Sequence, residues 1–246
     1  MSLLRIRRAD APIPSSAPSV TARRTRRIFL LSPANAGGTR AKMLMSENAR
    51  FALAGRLRSE GLPIGELFSF ISGLYFRGKV AYAEAFARPA KGSPGIFVIT
   101  AGRGLIPTET VITRTDLLEI AAVPVDASEP RYRLPLDRDA RTLNEIAGDK
   151  TEIVLLGSIA TSKYVEPLLA HFGERLLFPS AFVGRGDMSR GGLMLRAARE
   201  NVELLYEPVQ SAVRHGTRPP KLPKLPRITS PSDTIPSQSS SRSWKR

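Results

Sequence analysis

Three short runs of unbroken apolar residues constrain this chain more than any other feature. They are Ile-Phe-Leu-Leu at 28–31, Ile-Phe-Val-Ile at 96–99 and Ile-Val-Leu-Leu at 153–156. None alternates with polar residues, so neither face of the strand they predict can meet water. Strands apolar on both faces belong to parallel sheets covered by helices on each side. A fourth, weaker run, Leu-Leu-Phe-Pro, stands at 176–179. Between the runs lie helical patterns at about 40–59, 76–87, 136–147, 163–172 and 193–201. Strand, loop and helix thus recur about four times, the order of an α/β domain. The expected fold is three-layer α/β, with a mostly parallel central sheet flanked by helices and disordered basic termini.

Charge divides the chain into three parts. The net charge is +15 over 246 residues. Residues 1–27 hold seven Arg and one Asp, and residues 214–246 hold eight Lys plus Arg and one Asp, which leaves +2 for residues 28–213. Both ends are rich in Pro and Ser and lack apolar periodicity, so they read as solvated, disordered chain. The expected organisation is a disordered basic tail over 1–26, one α/β domain over 27–215, and a disordered Pro/Ser-rich basic tail over 216–246. Tails of this charge attract polyanions without sequence choice. No run of 18 apolar residues exists, so no membrane span is expected and a cytoplasmic location is the default.

The chain has no cysteine and only two histidines, His171 and His215. This removes disulfides, thiolate zinc sites and cysteine nucleophiles, and no metal or cofactor is expected.

In open α/β sheets, ligands bind beyond the C-terminal ends of the strands. Four loops there share glycine, small hydroxyls and cations: 32–40, 100–104, 157–163 and 184–192. Glycine lets backbone approach a ligand, hydroxyls and helix-start N–H groups hold anions, and arginine offers a two-pronged donor. The candidate ligand-binding residues are Ser32, Asn35, Arg77, Arg103, Lys163, Tyr164, Arg185 and Arg190. The candidate catalytic residues are Asp187, as an acid–base group or an ion-pair partner for Arg185 and Arg190, and Ser158, directly after a strand. Neither a phosphate-binding P-loop nor a dinucleotide glycine fingerprint is present. Tyr75 and Phe76 read either as base-stacking rings or as anchors of a helix start.

The segment Leu74-Tyr75-Phe76-Arg77-Gly78-Lys79, the strand end Thr100-Ala101-Gly102-Arg103-Gly104-Leu105-Ile106-Pro107, and Leu155-Leu156-Gly157-Ser158 with Tyr164 come in an order that resembles an uncharacterised bacterial α/β domain family. Some members of that family look associated with deazaguanine-type nucleic-acid modification. Ser32-Pro33-Ala34 is similar to the start of a bacterial peroxide-stress protein family whose members resemble DNA-binding proteins. The chain departs from the first family at this loop, where a cysteine and lysines are usual. The resemblance implies handling of a nucleobase or nucleic acid. The expected partner is therefore a phosphate-bearing small molecule or nucleic acid. The function is either an enzyme or binder acting on a nucleotide in the loop cleft, or non-catalytic nucleic-acid binding through the basic tails.

Overall fold

The computed structural model describes residues 25–222, and the expected disorder of the tails falls on residues mostly outside that range. The apolar runs form β1 (Arg27–Leu31), β3 (Ile96–Thr100), β6 (Glu152–Leu156) and β7 (Leu176–Pro179). Between β1 and β3 stand α1 (Thr39–Met45), α2 (Ala52–Ser59), the short strand β2 (Leu62–Pro63), α3 (Ile64–Ser72) and α4 (Leu74–Phe86). After β3 come β4 (Gly104–Pro107), β5 (Val111–Ile112), α5 (Arg114–Ala121) and α6 (Pro130–Ala147). Helix α7 (Ser162–Phe172) joins β6 to β7, and α8 (Asp187–Glu200) joins β7 to β8 (Tyr206–Pro208).

Among the described residues, the main sheet has six strands in the order β4-β3-β1-β6-β7-β8. The inner pairings β3–β1, β1–β6 and β6–β7 are parallel, and both edge strands run antiparallel. Strands β2 and β5 pair separately. Phe29, Leu30, Leu31, Val98, Ile99 and the whole of 153–156 are fully buried. Helix α4 packs on α8, and α6 packs on α7, which gives the two helical layers.

The α4–α8 layer depends on two glycines. A side chain added at Gly78 would lie 2.6 Å from the Gly191 carbonyl oxygen, and one added at Gly191 would lie 2.8 Å from that of Leu74. The two backbones therefore touch, as small residues alone permit. Helix α8 begins at Asp187 rather than near 193, so two thirds of the stretch read as a Gly-rich loop, 184–192, is helix. Its glycines serve interhelical contact instead of a turn.

Other elements also differ from the sequence reading. The pattern at 40–59 is two helices, because Ser46 ends the first one and its hydroxyl accepts from the Asn48 N–H at 3.3 Å. Helix α6 starts at Pro130, where proline fits the first turn at no hydrogen-bond cost. The loop after β3 is the tight turn of an antiparallel hairpin. Gly102 and Gly104 have φ of 82° and 69° there, which L side chains rarely adopt.

At the N-terminal ends of the strands, buried Arg27 pairs with Glu152 and Glu203, and Arg88 also reaches Glu203. Residues 217–222 run past the loop at Gly184, and the Arg185 guanidinium donates to the Pro220 carbonyl at 3.3 Å. No helix among the described residues is long and apolar enough to cross a membrane.

Candidate functional site

β1 connects leftward to β3, while β6 connects rightward to β7. The neighbours β1 and β6 therefore form the point where strand order reverses, the usual crevice for ligands in such sheets. A cavity of about 790 Å³ opens there. Its walls come from the loop after β1, the loop after β6, the start of α7, and the segment following α5. The volume falls in the range of small-molecule sites.

Six of the ten residues singled out in the sequence line this cavity: Ser32, Asn35, Ser158, Lys163, Tyr164 and Asp187. Ser32 directly follows β1, and its N–H donates to the Leu156 carbonyl at 3.2 Å. Asn35 folds its own loop, its Oδ1 accepting from the Gly37 N–H at 3.2 Å. The Tyr164 hydroxyl accepts from the Ser158 N–H at 3.1 Å and faces the Ser32 side chain. Gly157 makes room for this meeting, since a side chain there would sit 2.8 Å from Ser32 Cβ. Burial pushes the Tyr164 hydroxyl above its ordinary pKa, and Ser32 and the Ser158 N–H draw it partly back. Lys163 stands in the first turn of α7, and Asp126 across the opening is held below the usual carboxylate range by the Ser128 N–H and hydroxyl, with Lys163 adding to the effect.

The four arginines lie outside the lining of this cavity. Arg77 is exposed on α4. Arg185 is turned to the Ala181 carbonyl at 3.0 Å and the Ser189 hydroxyl at 3.3 Å. Arg190 donates to the Phe182 carbonyl at 3.2 Å and lies 3.6 Å from Asp187. Arg103, at the hairpin turn, binds Asp116 at 2.5 Å and Glu119 at 2.6 Å beside a separate cavity of about 460 Å³. Thr113 and then Arg103 hold the Asp116 carboxyl below its ordinary range. Its guanidinium thus ties the β3–β4 turn to α5. Arg103→Ala should cost about 1 kcal/mol of stability, the worth of a partly exposed ion-pair cluster, and leave affinity for a cavity ligand unchanged. Thermal melts and ligand titration of the same variant check both halves.

The sequence reading missed Lys79. This side chain is 1% exposed, and its ammonium nitrogen lies 2.7 Å from Ser32 Oγ and 2.9 Å from the Ser32 carbonyl oxygen. It sits 4.1 Å from the centroid of the Tyr75 ring and 5.1 Å from that of Phe76. Burial lowers its pKa to about 7, with Asp187 opposing the shift and Arg190 adding to it. A signal was present: Lys79 stands four residues after Tyr75, three after Phe76 and three before Tyr82, on the buried stripe of α4. Lys79 and Arg190 are thus buried basic side chains near the C-terminal strand ends, and Arg27 is a third at the opposite ends.

Tyr75 also lines the cavity. Its hydroxyl is buried beside Arg190 and Asp187 and makes no well-formed hydrogen bond among the described residues. The first turn of α7 is likewise open, because Thr161 makes no side-chain cap. Among the described residues, no group of three or more His, Asp or Glu is placed to hold a metal ion. Compared with protein-family models, with curated proteins and with solved structures, the chain matches none of them.

Proposed function

We propose that the chain binds a phosphate-bearing small molecule, a nucleotide or nucleobase derivative, in the cleft between β1 and β6. The convergence of Lys163, Asn35, Asp187 and the uncapped start of α7 on one cavity carries this reading. Lys163 and the uncapped N–H groups of α7 receive the phosphate, since the helix start presents donors and partial positive charge. Asn35 and Asp187 face the same space and take sugar hydroxyls or the polar edge of a base. The resemblance of these segments to an uncharacterised α/β family, some members of which look associated with nucleic-acid modification, is in keeping with the same ligand class.

Calorimetric titration of the full chain with nucleoside monophosphates, the parent nucleosides and inorganic phosphate tests this. The monophosphate should bind at least tenfold more tightly than the nucleoside. Lys163→Ala should remove about tenfold of that advantage, the value of one charged hydrogen bond, and leave nucleoside affinity unchanged. Equal affinity for nucleoside and monophosphate would remove the phosphate from the site.

One observation favours a second reading: the terminal segments carry nearly all of the net charge. Non-catalytic nucleic-acid binding through them predicts affinity for polynucleotides that falls steeply with salt and is indifferent to Lys163→Ala.

A further inference from the structure

We propose that Ser32 is a nucleophile and Lys79 its general base, and that the pair hydrolyses an ester or amide of a ligand seated in the β1–β6 cleft. This inference rests on the cleft being the ligand site. It adds the bond that is broken there.

The geometry comes first. Ser32 Oγ lies 2.7 Å from Lys79 Nζ, within reach for proton transfer. Ser32 belongs to the cavity wall, whereas Lys79 stands behind it, closed off from solvent. A nucleophile facing the ligand space with its base behind is the order the chemistry requires. Lys79 forms no ion pair with a carboxylate among the described residues. Its close neighbours are the serine and two aromatic faces, and the more distant charges are Asp187 and Arg190 on α8. An ammonium without a partnered anion is costly to bury. Methionine or leucine would hold α4 on β1 at lower cost, so the amine needs another reason to be there. As a neutral amine, Nζ donates one hydrogen to the Ser32 carbonyl and accepts the hydroxyl proton of the same residue. The Tyr164 hydroxyl accepts from the Ser158 N–H and meets the Ser32 side chain, so its proton can turn from Ser32 to an oxyanion formed on the acyl carbon. Facing Ser32 from the cavity wall, it is the donor available to an oxyanion.

The steps balance. Ser32 Oγ bonds to the carbonyl carbon as its proton passes to Lys79 Nζ. The tetrahedral intermediate collapses, the bond to the leaving oxygen or nitrogen breaks, and that atom takes the proton from Lys79. Water then attacks the acyl-serine, giving its proton to Lys79. Collapse of the second intermediate releases the acid, and Ser32 Oγ regains the proton.

Diisopropyl fluorophosphate on the full chain, followed by intact mass and peptide mapping, tests the pair without knowledge of the substrate. One adduct on Ser32 is expected, forming at a rate that rises with pH through about 7 and then levels. Ser32→Ala should abolish labelling. Tyr164→Phe should slow it about 100-fold, and Lys79→Met by 100-fold or more. If Lys79→Met does not fold, the wild-type pH profile and Tyr164→Phe still decide. Folded wild-type protein unlabelled at Ser32 would overturn the proposal. So would labelling at a rate flat from pH 5.5 to 8.5, or unslowed in a folded Lys79→Met variant. Nucleotide titration of Ser32→Ala separates the two readings. Retained binding with an unreactive wild-type serine sinks the dyad alone. A reactive serine without nucleotide binding supports the dyad and sinks the ligand class alone.

Discussion

A Gly78→Val variant should lose about 3 kcal/mol of stability, the upper end of overpacking costs in a filled interior. The added Cβ would stand 2.6 Å from the Gly191 carbonyl oxygen, and further methyl groups would lie beyond it. The obstacle is backbone, not the end of a flexible side chain, so α4 and α8 must move apart as rigid bodies. That separation removes contacts along both helices. Gly55 provides the control. It lies inside α2 with nothing within 4 Å of an added Cβ, so Gly55→Ala should stabilise by about 0.5–1 kcal/mol through helix propensity. Urea unfolding of both variants measures the contrast. A Gly78→Val protein within about 0.5 kcal/mol of wild type, a typical surface effect, would mean that the helices part without loss.

The second large effect is on pH dependence. Lys79 ionises near 7 in the fold and near its ordinary 10.5 in the unfolded chain. Between those values the unfolded chain holds a proton that the native protein lacks, so Lys79 makes stability rise with pH across this window. Below about 7 both states hold the proton, and the burial penalty is constant. The slope approaches about 1.4 kcal/mol per pH unit. Lys79→Met has no such proton. The stability of wild type relative to Lys79→Met should therefore rise by about 2 kcal/mol from pH 7 to pH 9. Taking the difference cancels the other titrating groups. Denaturation curves of both proteins at pH 6, 7, 8 and 9 give the comparison. A constant difference would show that the amine keeps its proton in the folded state through pH 9.

The parallel strands were legible because each is apolar on both faces, a pattern few other structures need. The two edge strands were not. β4 and β8 are four and three residues long and contain glycine or proline, so β4 read as loop and β8 gave no strand signal. The start of α8 was hidden for a related reason: Gly191 and Gly192 look like a turn, yet Gly191 faces α4. The loops at the strand ends were legible as a group, since sheet topology brings Ser32, Asn35, Ser158, Lys163, Tyr164 and Asp187 to one cavity. Where each arginine points was not legible. That depends on which carbonyl or carboxylate lies nearest, as with Arg185 at Ala181 and Arg103 at Asp116. Lys79 was not singled out, since lysine is rarely buried, although its spacing from Tyr75 and Tyr82 placed it on the inner stripe.

The short antiparallel edges bear on how this molecule meets others. Pro107 pairs with Phe97 at one border of the sheet, and Pro208 pairs with Leu177 at the other. A chain that tried to extend the sheet would find three or four residues on either side, one of them without an N–H to offer. Strand-by-strand growth, the route to fibrils and to β-augmented complexes, is thereby disfavoured at both borders of the main sheet.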